Sequence, residues 1–500
     1  AATPTPAAAL ATRATGRRAS RAARPARPAG GRRATGRMLL AAATVLALGG
    51  TVAASSLLTL PRVDATPVRA SVVPSADGLR LACAGPLLQL AESAPGRSAA
   101  VTAVGVPVHA AGASAALTER PLSAALSGTE SRGFAVESVP DPAGTGVLGS
   151  AAQSQYGSAG LVGLVASACP APAAAEWLVG GSTDLGRTTL LNLLNPTDVA
   201  ATVDLTLIGE DGPVSPPGAS GISVPAGEQV VVPLSGLAPN LASPVVHVES
   251  RGGQVVAALQ QSIVRGIEAG GIDTFGATAA PAQRQYIPGV RVANGQALLE
   301  RMSVEGYEDL QTVVRLFVPG DEHTEVRIGV VADDPRQEGA SLAFHIEPDQ
   351  VVDVPLDALA DGTYTVTVDA DLPVVAAVRQ SQLGPAGETD FAWLAAVDAL
   401  QAGVEAWVSI TPGPGPRLFL HNPGTAAASG TLTAADGTAI EIAVDPGATT
   451  VVPVARRQTY RLQADGELRG AVSYLRHGSV AGYPVLPQRP AAEPVTVYPG

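Results

Sequence analysis

Residue types that could carry out chemistry are sparse in this sequence. All 32 basic residues are arginine, which excludes a P-loop lysine, a Schiff-base lysine and a Ser-Lys pair. The Gly-x-Ser-x-Gly motif of a nucleophile elbow does not occur. Of the six histidines, His247 and His345 fall in alternating strand patterns, where a surface histidine is more common than a ligand. The sequence therefore predicts no catalytic residues.

One loop, residues 320–325, has the composition of a cation site. Asp321, Glu322, His323 and Glu325 place three acids and an imidazole within five residues, and these groups ligate metal ions. The simpler interpretation is an acidic hairpin exposed to water. We favour that interpretation and predict no metal site.

Other ligand classes are also disfavoured. Residues 144–149 match Gly-x-Gly-x-x-Gly, but no convincing helix follows, so a glycine-rich loop is expected and no cofactor is predicted. Residues 61–500 have a net charge of −21, which would repel nucleic acid, and no small-molecule substrate is expected. The three tryptophans are predicted to serve in packing, Trp177 and Trp407 at equivalent repeat positions and Trp393 as an interdomain plug.

The charge distribution predicts a membrane topology. Residues 1–37 carry nine arginines and no acid, whereas residues 38–60 carry no charge and are long enough to span a bilayer as a helix. We expect a disordered Arg-rich cytoplasmic tail followed by a single-pass signal anchor, with the bulk of the chain outside the cell. A signal peptide cleaved near residues 51–54 is the alternative.

The two cysteines, Cys83 and Cys169, both follow the predicted span. In an oxidising exterior, two cysteines without other partners are expected to pair, and two buried thiols are the alternative. The bond would close a loop of about 87 residues, which is worth roughly 4–5 kcal/mol in the chain-entropy model.

A sequence pattern recurs three times after Cys169. Each copy begins with an aromatic residue (Trp177, Tyr286 or Trp407) and continues with an apolar strand that ends at a Pro turn, as in residues 190–196. An alternating strand follows, then a Val-rich block, then a closing pair of strands with short polar connections. Dipeptides typical of hairpins include Asp211-Gly212, Asp436-Gly437 and Asp465-Gly466.

The pattern gives six or seven short strands in about 100–120 residues, which predicts an all-β protein of tandem immunoglobulin-like antiparallel β-sandwich domains. A β-propeller, the rival architecture, repeats at a shorter period. A short helix is expected within residues 296–308. The predicted units are the tail (1–37), the transmembrane helix (38–60), a first β domain with the disulfide (61–172), three sandwich repeats (173–275, 276–388 and 389–487) and a C-terminal tail (488–500).

The order of these features resembles a known family. A basic tail and a single span precede Cys83-Ala84-Gly85-Pro86, Cys169-Pro170, Trp177 and the motif of residues 190–196. This order resembles an actinobacterial family of single-pass envelope proteins of unknown function. The resemblance implies a location and a fold, and it assigns no functional residues.

Two classes of function are consistent with the sequence. The first is a non-enzymatic, membrane-anchored envelope protein, a scaffold or binding module for an envelope protein partner or, second in rank, a cell-wall glycan. The second is an exported hydrolase or transferase accessory domain with an unrecognised active site. Repeats without a catalytic constellation favour the first class.

Overall fold

A computed structural model describes residues 70–72, 78–90, 101–128, 130–140, 146–334, 336–337, 339–356, 359–488 and 495–497. The tail and the transmembrane helix predicted for residues 1–60 lie outside these residues. Within the described part of the chain, no helix combines the length and the apolar character needed to cross a bilayer. The described secondary structure is almost entirely β, as predicted.

The N-terminal segment forms three small sheets, two of them antiparallel and one with a parallel pair of strands. Their strand orders are β11-β10-β5, β2-β9-β6 and β3-β4-β8. Strand β7 instead pairs with an edge strand of the first sandwich. Its strands are β1 (Ala70–Val72), β2 (Arg80–Cys83), β3 (Leu87–Leu90), β4 (Val101–Val104), β5 (Val108–Ala113), β6 (Leu117–Pro121), β7 (Ser123–Ala124), β8 (Ser127–Gly128), β9 (Phe134–Ser138), β10 (Gly149–Tyr156) and β11 (Leu164–Ala168).

The first sandwich follows. One sheet has the order β12-β18-β14-β15, the other β20-β19-β13-β17, and an apolar core lies between them. Its elements are β12 (Ala175–Val179), β13 (Arg187–Leu194), β14 (Ala201–Gly209), β15 (Gly212–Val214), β16 (Ile222–Val224), β17 (Glu228–Pro233), a 3₁₀ turn (Leu234–Gly236), β18 (Val245–Gly252), β19 (Val256–Arg265) and β20 (Glu268–Gly276).

The second sandwich repeats this plan with one long strand, β26, that serves both layers. Its first half pairs with β21 and β23, and its second half pairs with β22 and β27. The elements are β21 (Ala282–Val292), α1 (Gly295–Met302), a 3₁₀ turn (Glu308–Leu310), β22 (Val313–Phe317), β23 (Thr324–Ala332), β24 (Ala340–Ile346), β25 (Val351–Pro355), β26 (Gly362–Leu383) and β27 (Thr389–Ala395). The predicted short helix is confirmed by α1.

The third sandwich has sheets β29-β34-β31-β32 and β28-β35-β30-β33, with β36 paired to β35. Its strands, and one strand beyond it, are β28 (Ala399–Leu400), β29 (Ala406–Ile410), β30 (Arg417–His421), β31 (Ala428–Ala434), β32 (Ala439–Val444), β33 (Thr449–Pro453), β34 (Gln458–Ala464), β35 (Leu468–Arg476), β36 (Ser479–Pro484) and β37 (Val495–Val497). The limits of the predicted domains stay predictions.

Local sequence explains where these strands lie and end. On β14, Val203, Leu205 and Leu207 are buried, which confirms the predicted alternation. β13, β22 and β30 each end two residues before the proline of their turn. The Asn195 side chain donates hydrogen bonds to the carbonyls of Val199 (2.8 Å) and Val224 (2.9 Å). These bonds stabilise the turn that begins at Pro196.

One predicted hairpin is wrong. Asp465-Gly466 was expected to join two paired strands, but β34 and β35 belong to opposite sheets of the third sandwich. The chain passes from one layer to the other at this point, as β26 does without a break. The other two dipeptides do form hairpins, between β14 and β15 and between β31 and β32.

Residues 71–496 form one compact unit in which the N-terminal segment joins two sandwiches. Gln260 of β19 accepts from the Leu88 backbone N–H (2.7 Å) and donates to its carbonyl (2.6 Å). On the other side, Ser154 Oγ of β10 donates to the Pro412 carbonyl (2.7 Å). The segment is therefore held by the first sandwich through β3 and by the third through β10.

The predicted disulfide is confirmed. Cys83 at the end of β2 and Cys169 after β11 are bonded and fully buried. Because they are 86 residues apart, the bond constrains nearly the whole N-terminal segment, whose own apolar clusters are small.

We expect replacement of both Cys83 and Cys169 by Ser to lower the free energy of unfolding by about 4 kcal/mol, since the long loop is then unconstrained in the unfolded chain. Denaturant unfolding of the variant and the wild type measures the difference. Reduction should also raise the mass of the wild type by two hydrogens and leave the variant unchanged. An unchanged unfolding midpoint would contradict the stabilising role.

Candidate functional site

A cleft of about 1150 Å³ lies where the N-terminal segment meets the three sandwiches, and it is lined by all three tryptophans of the chain. Trp177 comes from β12, Trp393 from β27 and Trp407 from β29. The Cys169 end of the disulfide is part of its wall. The volume is at the upper end of the range found for small-ligand sites.

Trp393 is fixed from several directions. Its indole Nε1–H donates to Gln261 Oε1 (2.7 Å), and its backbone N–H donates to Asp273 Oδ2 (2.7 Å). The Arg315 guanidinium lies 4.7 Å from the ring centroid. Since Gln261 and Asp273 belong to the first sandwich and Arg315 to the second, Trp393 connects the two.

The other two tryptophans are half-buried and keep part of their rings open to solvent. Trp177 stacks on His247 with centroids 4.1 Å apart, and burial lowers the pKa of that histidine. The Trp407 indole N–H donates to Glu405 (2.8 Å). Both occupy the strand predicted from the repeat, and each therefore offers a partly exposed aromatic face at the cleft.

The charged residues that line the cleft are mostly acidic. Arg80 is ion-paired with Glu137 (3.3 Å) and Asp198 (3.2 Å). Glu176 accepts from the Ala257 backbone N–H (2.8 Å), and Asp398 also lies on the wall. With one arginine against four carboxylates, the cleft favours neutral or cationic ligands over anions.

One lining residue has unused hydrogen-bonding capacity. Ser167 of β11 is 5% exposed, and its hydroxyl has no hydrogen-bond partner among the described residues. Buried hydroxyls are normally satisfied, so this group is a candidate contact for a bound molecule.

Behind the cleft, two carboxyl groups are completely buried. Asp390 Oδ2 accepts from the backbone N–H groups of Leu164 (3.0 Å) and Val480 (3.1 Å), on β11 and β36. Burial raises the pKa of Asp273 to about 8, and burial also raises the pKa of Asp390 well above its usual value. Such groups mark functional sites in some proteins. Here both accept backbone hydrogen bonds and therefore act by positioning strands.

None of the six histidines lines the cleft. A histidine–hydroxyl contact occurs elsewhere, where His421 Nδ1 lies 3.1 Å from Thr449 Oγ1, and the Thr365 hydroxyl lies 2.6 Å from the same oxygen. Burial lowers the pKa of His421 to about 4, and burial raises the pKa of nearby Asp333 to about 6. This network is enclosed between the second and third sandwiches, away from any cleft described here.

The loop with Asp321, Glu322 and His323 is exposed, and Glu325 lies 3.7 Å from Arg327. In the described part of the chain, no group of three His, Cys, Asp or Glu side chains is arranged to hold a metal ion. Of the glycine-rich loop, residues 144 and 145 lie outside the described residues, and strand β10 begins at its last glycine. A strand at this place does not fit a dinucleotide motif.

These features define an all-β protein of sandwich type with one disulfide. Residues 125–455 match the model of a family described as "Family of unknown function (DUF5719)", and the chain belongs to this family. No curated protein matches the chain.

Three solved structures show weak similarity. Thermotoga maritima 1070 is 18% identical, with 23% of this chain and 93% of that chain covered and a TM-score of 0.19. A GH78 family rhamnosidase of Bacillus sp. GL1 is 9% identical (66% and 56% covered, TM-score 0.11). The chicken CNTN1 FN1-FN3 domains are 9% identical (65% and 98% covered, TM-score 0.09). At these TM-scores the similarities carry no inference about this chain.

Sequence reasoning located the disulfide and missed the cleft. The equivalent repeat positions of Trp177 and Trp407 were a usable signal, because equivalent strands of successive sandwiches can present the same face. Nothing in the sequence brings Ser167 or Arg80 to the same cavity, since that depends on how the N-terminal segment packs.

We expect Asp273→Asn to remove a pH dependence of stability. The pKa of Asp273 in the folded state, about 8, is above its value in the unfolded chain. The contribution of Asp273 to the free energy of unfolding is therefore fully present below about pH 4 and is lost as the pH rises toward 8. Between pH 4 and 8 the free energy of unfolding of the wild type should fall, relative to that of the variant, by up to about 1.4 kcal/mol per pH unit. Urea unfolding at a series of pH values measures this difference.

The exposed Asp371→Asn serves as the matched control, and its difference from the wild type should not vary in that way. If the difference between Asp273→Asn and the wild type is constant from pH 4 to 8, then Asp273 does not titrate in this range.

Proposed function

We propose that this protein is a membrane-anchored, non-enzymatic protein of the cell envelope whose β body lies outside the cell and binds a partner in the tryptophan-lined cleft. The observation that carries the proposal is the convergence of three tryptophans from three separate strands on one cavity, beside an unsatisfied buried hydroxyl. Tryptophan is enriched where binding energy is concentrated.

Several observations support the location. The Arg-rich residues 1–37 followed by the uncharged residues 38–60 are typical of an N-terminal anchor with a cytoplasmic tail. The buried disulfide is of the kind that persists in oxidising compartments. The lack of lysine and the resemblance described above support an actinobacterial envelope origin.

The order of the sheets supports an immunoglobulin-like plan for each repeat. Every sandwich has two layers of antiparallel strands, which are separate sheets in the first and third sandwiches and share β26 in the second. Such modules commonly present binding surfaces at their loops and edges, and the cleft lies where three of them meet the N-terminal segment.

The partner that best fits the cleft is an extended, uncharged or basic segment of another protein. The acidic lining disfavours anions, and a volume of about 1150 Å³ leaves room for several residues of a chain-like ligand. The alternative ligand is a neutral glycan that stacks on the exposed faces of Trp177 and Trp407, and crosslinking distinguishes it from a protein partner.

We expect added protease to degrade the β body in intact cells, because that body is exposed, while an epitope tag on residues 1–37 stays protected. Immunoblotting with the tag and with an antibody to the body reads out both parts. Lysed cells are the control, in which both should be digested. A body that resists protease until lysis would contradict the proposed topology.

We expect a photo-crosslinking amino acid at Gln254, an exposed residue of the cleft wall, to label a protein in living cells. The same probe at Ile267, which is fully exposed outside the cleft, should not label it. Trp407→Ala should reduce the Gln254 crosslink at least about tenfold, as expected for a binding hot spot. Equal labelling from both positions would contradict a cleft-specific partner, and labelling of glycan alone would replace the protein partner with a glycan.

A further inference from the structure

A second cavity, of about 540 Å³, lies at one end of the third sandwich and has the opposite charge to the cleft. Its lining contains three arginines and a histidine and no acidic residue. We call it the arginine pocket. Its residues are Tyr156, Pro412, Gly413, Pro414, Arg456, Arg457, Arg476 and His477.

The arginines of this pocket are uncommitted. Arg456, Arg457 and Arg476 are exposed, and none forms an ion pair or a side-chain hydrogen bond with the described residues. Elsewhere in the described chain, arginines such as Arg80 and Arg315 are paired with carboxylates. On a chain with more acids than bases, three neighbouring arginines without acids are a local exception.

Further positive charge lies next to the pocket. Arg291 Nη1 donates to the carbonyl of Gly415 (3.3 Å), the residue after the lining Pro414. Burial, together with the charge of Arg417, lowers the pKa of Arg291 to about 10. Neither Arg291 nor Arg417 is ion-paired with a described residue, so both add positive charge near the pocket.

Two of the lining residues have a left-handed backbone conformation. Arg457 and His477 have φ values of 58° and 53°, in the left-handed region that glycine or asparagine adopts more readily. Arg457 immediately precedes β34, and His477 lies between β35 and β36. Both residues lie in turns, and both place a basic side chain at the pocket.

A guanidinium group donates two parallel N–H groups that match the oxygens of a phosphate. Tyr156, whose side chain is 56% exposed, adds a hydroxyl and an aromatic face to the same pocket. The volume exceeds that of one phosphate and leaves room for the group attached to it. We propose that the arginine pocket binds a phosphate group, carried either by a soluble phosphate ester or by a lipid headgroup.

The proposal does not depend on the proposed function of the cleft. The acidic cleft would repel the same ligand, so binding of phosphate reports on the arginine pocket alone. Loss of the cleft partner would leave phosphate binding in place, and loss of phosphate binding would leave the cleft unaffected.

The test is calorimetric titration of the full chain, in an uncharged detergent at low ionic strength, with pyrophosphate and glycerol 3-phosphate. We expect Arg456→Gln combined with Arg457→Gln to weaken binding at least about tenfold, since each charge-assisted pair is lost. Arg476→Lys, which keeps the charge and loses the two-pronged geometry, should weaken it less. Arg251→Gln, at a 77% exposed arginine on β18, is the control for loss of one charge and should change affinity less than about twofold.

Dihexanoyl phosphatidylglycerol, compared with dihexanoyl phosphatidylcholine, distinguishes the sources. Preferential binding of phosphatidylglycerol over glycerol 3-phosphate, lost in the double variant, identifies a lipid headgroup, and the reverse preference identifies a soluble ester. The proposal is overturned if the wild type binds none of these probes, if citrate binds as tightly as pyrophosphate, or if Arg251→Gln weakens binding as much as the double variant. Equal melting temperatures of the variants and the wild type show that the fold is retained.

Discussion

The packing of the three sandwiches against one another depends on two buried carboxyl groups. These groups accept hydrogen bonds from backbone N–H groups that have no partner in a strand ladder. Where β20 of the first sandwich lies against β27 of the second, Asp273 accepts the Trp393 backbone N–H, and where β27 lies against β36 and β11, Asp390 accepts two more. Strands from separate sheets cannot satisfy these buried N–H groups with a continuous ladder. Because an unpaired buried amide costs about 1–3 kcal/mol, the carboxyls fix how the strands approach.

The same close approach explains two glycines. A Cβ on Gly163 would lie 2.3 Å from Asp390 Oδ1, and a Cβ on Gly271 would lie 2.7 Å from the Phe391 ring. Both residues also have positive φ, at 129° and 117°. Any side chain would therefore separate β11 and β20 from β27 and disturb the wall that carries Trp393. The geometry of the cleft thus follows from the contacts that assemble the sandwiches.

The elements that sequence could predict are those determined by neighbouring residues. Alternation placed the buried face of β14, Pro turns ended β13, β22 and β30, and the two cysteines, with no other partners, were expected to pair with each other. The hairpin predicted at Asp465-Gly466 was wrong because this dipeptide indicates only that the chain turns. It does not indicate whether the next strand joins the same sheet or the opposite one. The packing of β20, β27 and β36 against one another, the cleft and the arginine pocket arise from contacts between distant segments. In the arginine pocket, Arg456 precedes β34 whereas Arg476 ends β35.

The two cavities have linings of opposite charge. The cleft has four carboxylates against Arg80, and the arginine pocket has three arginines and no carboxylate in its lining, although residues 61–500 have a net charge of −21. Charges separated by more than about 8–10 Å are largely screened at physiological salt, so each site experiences its own lining more than the average charge of the chain. One all-β body can therefore select an uncharged or basic ligand at one place and an anion at another.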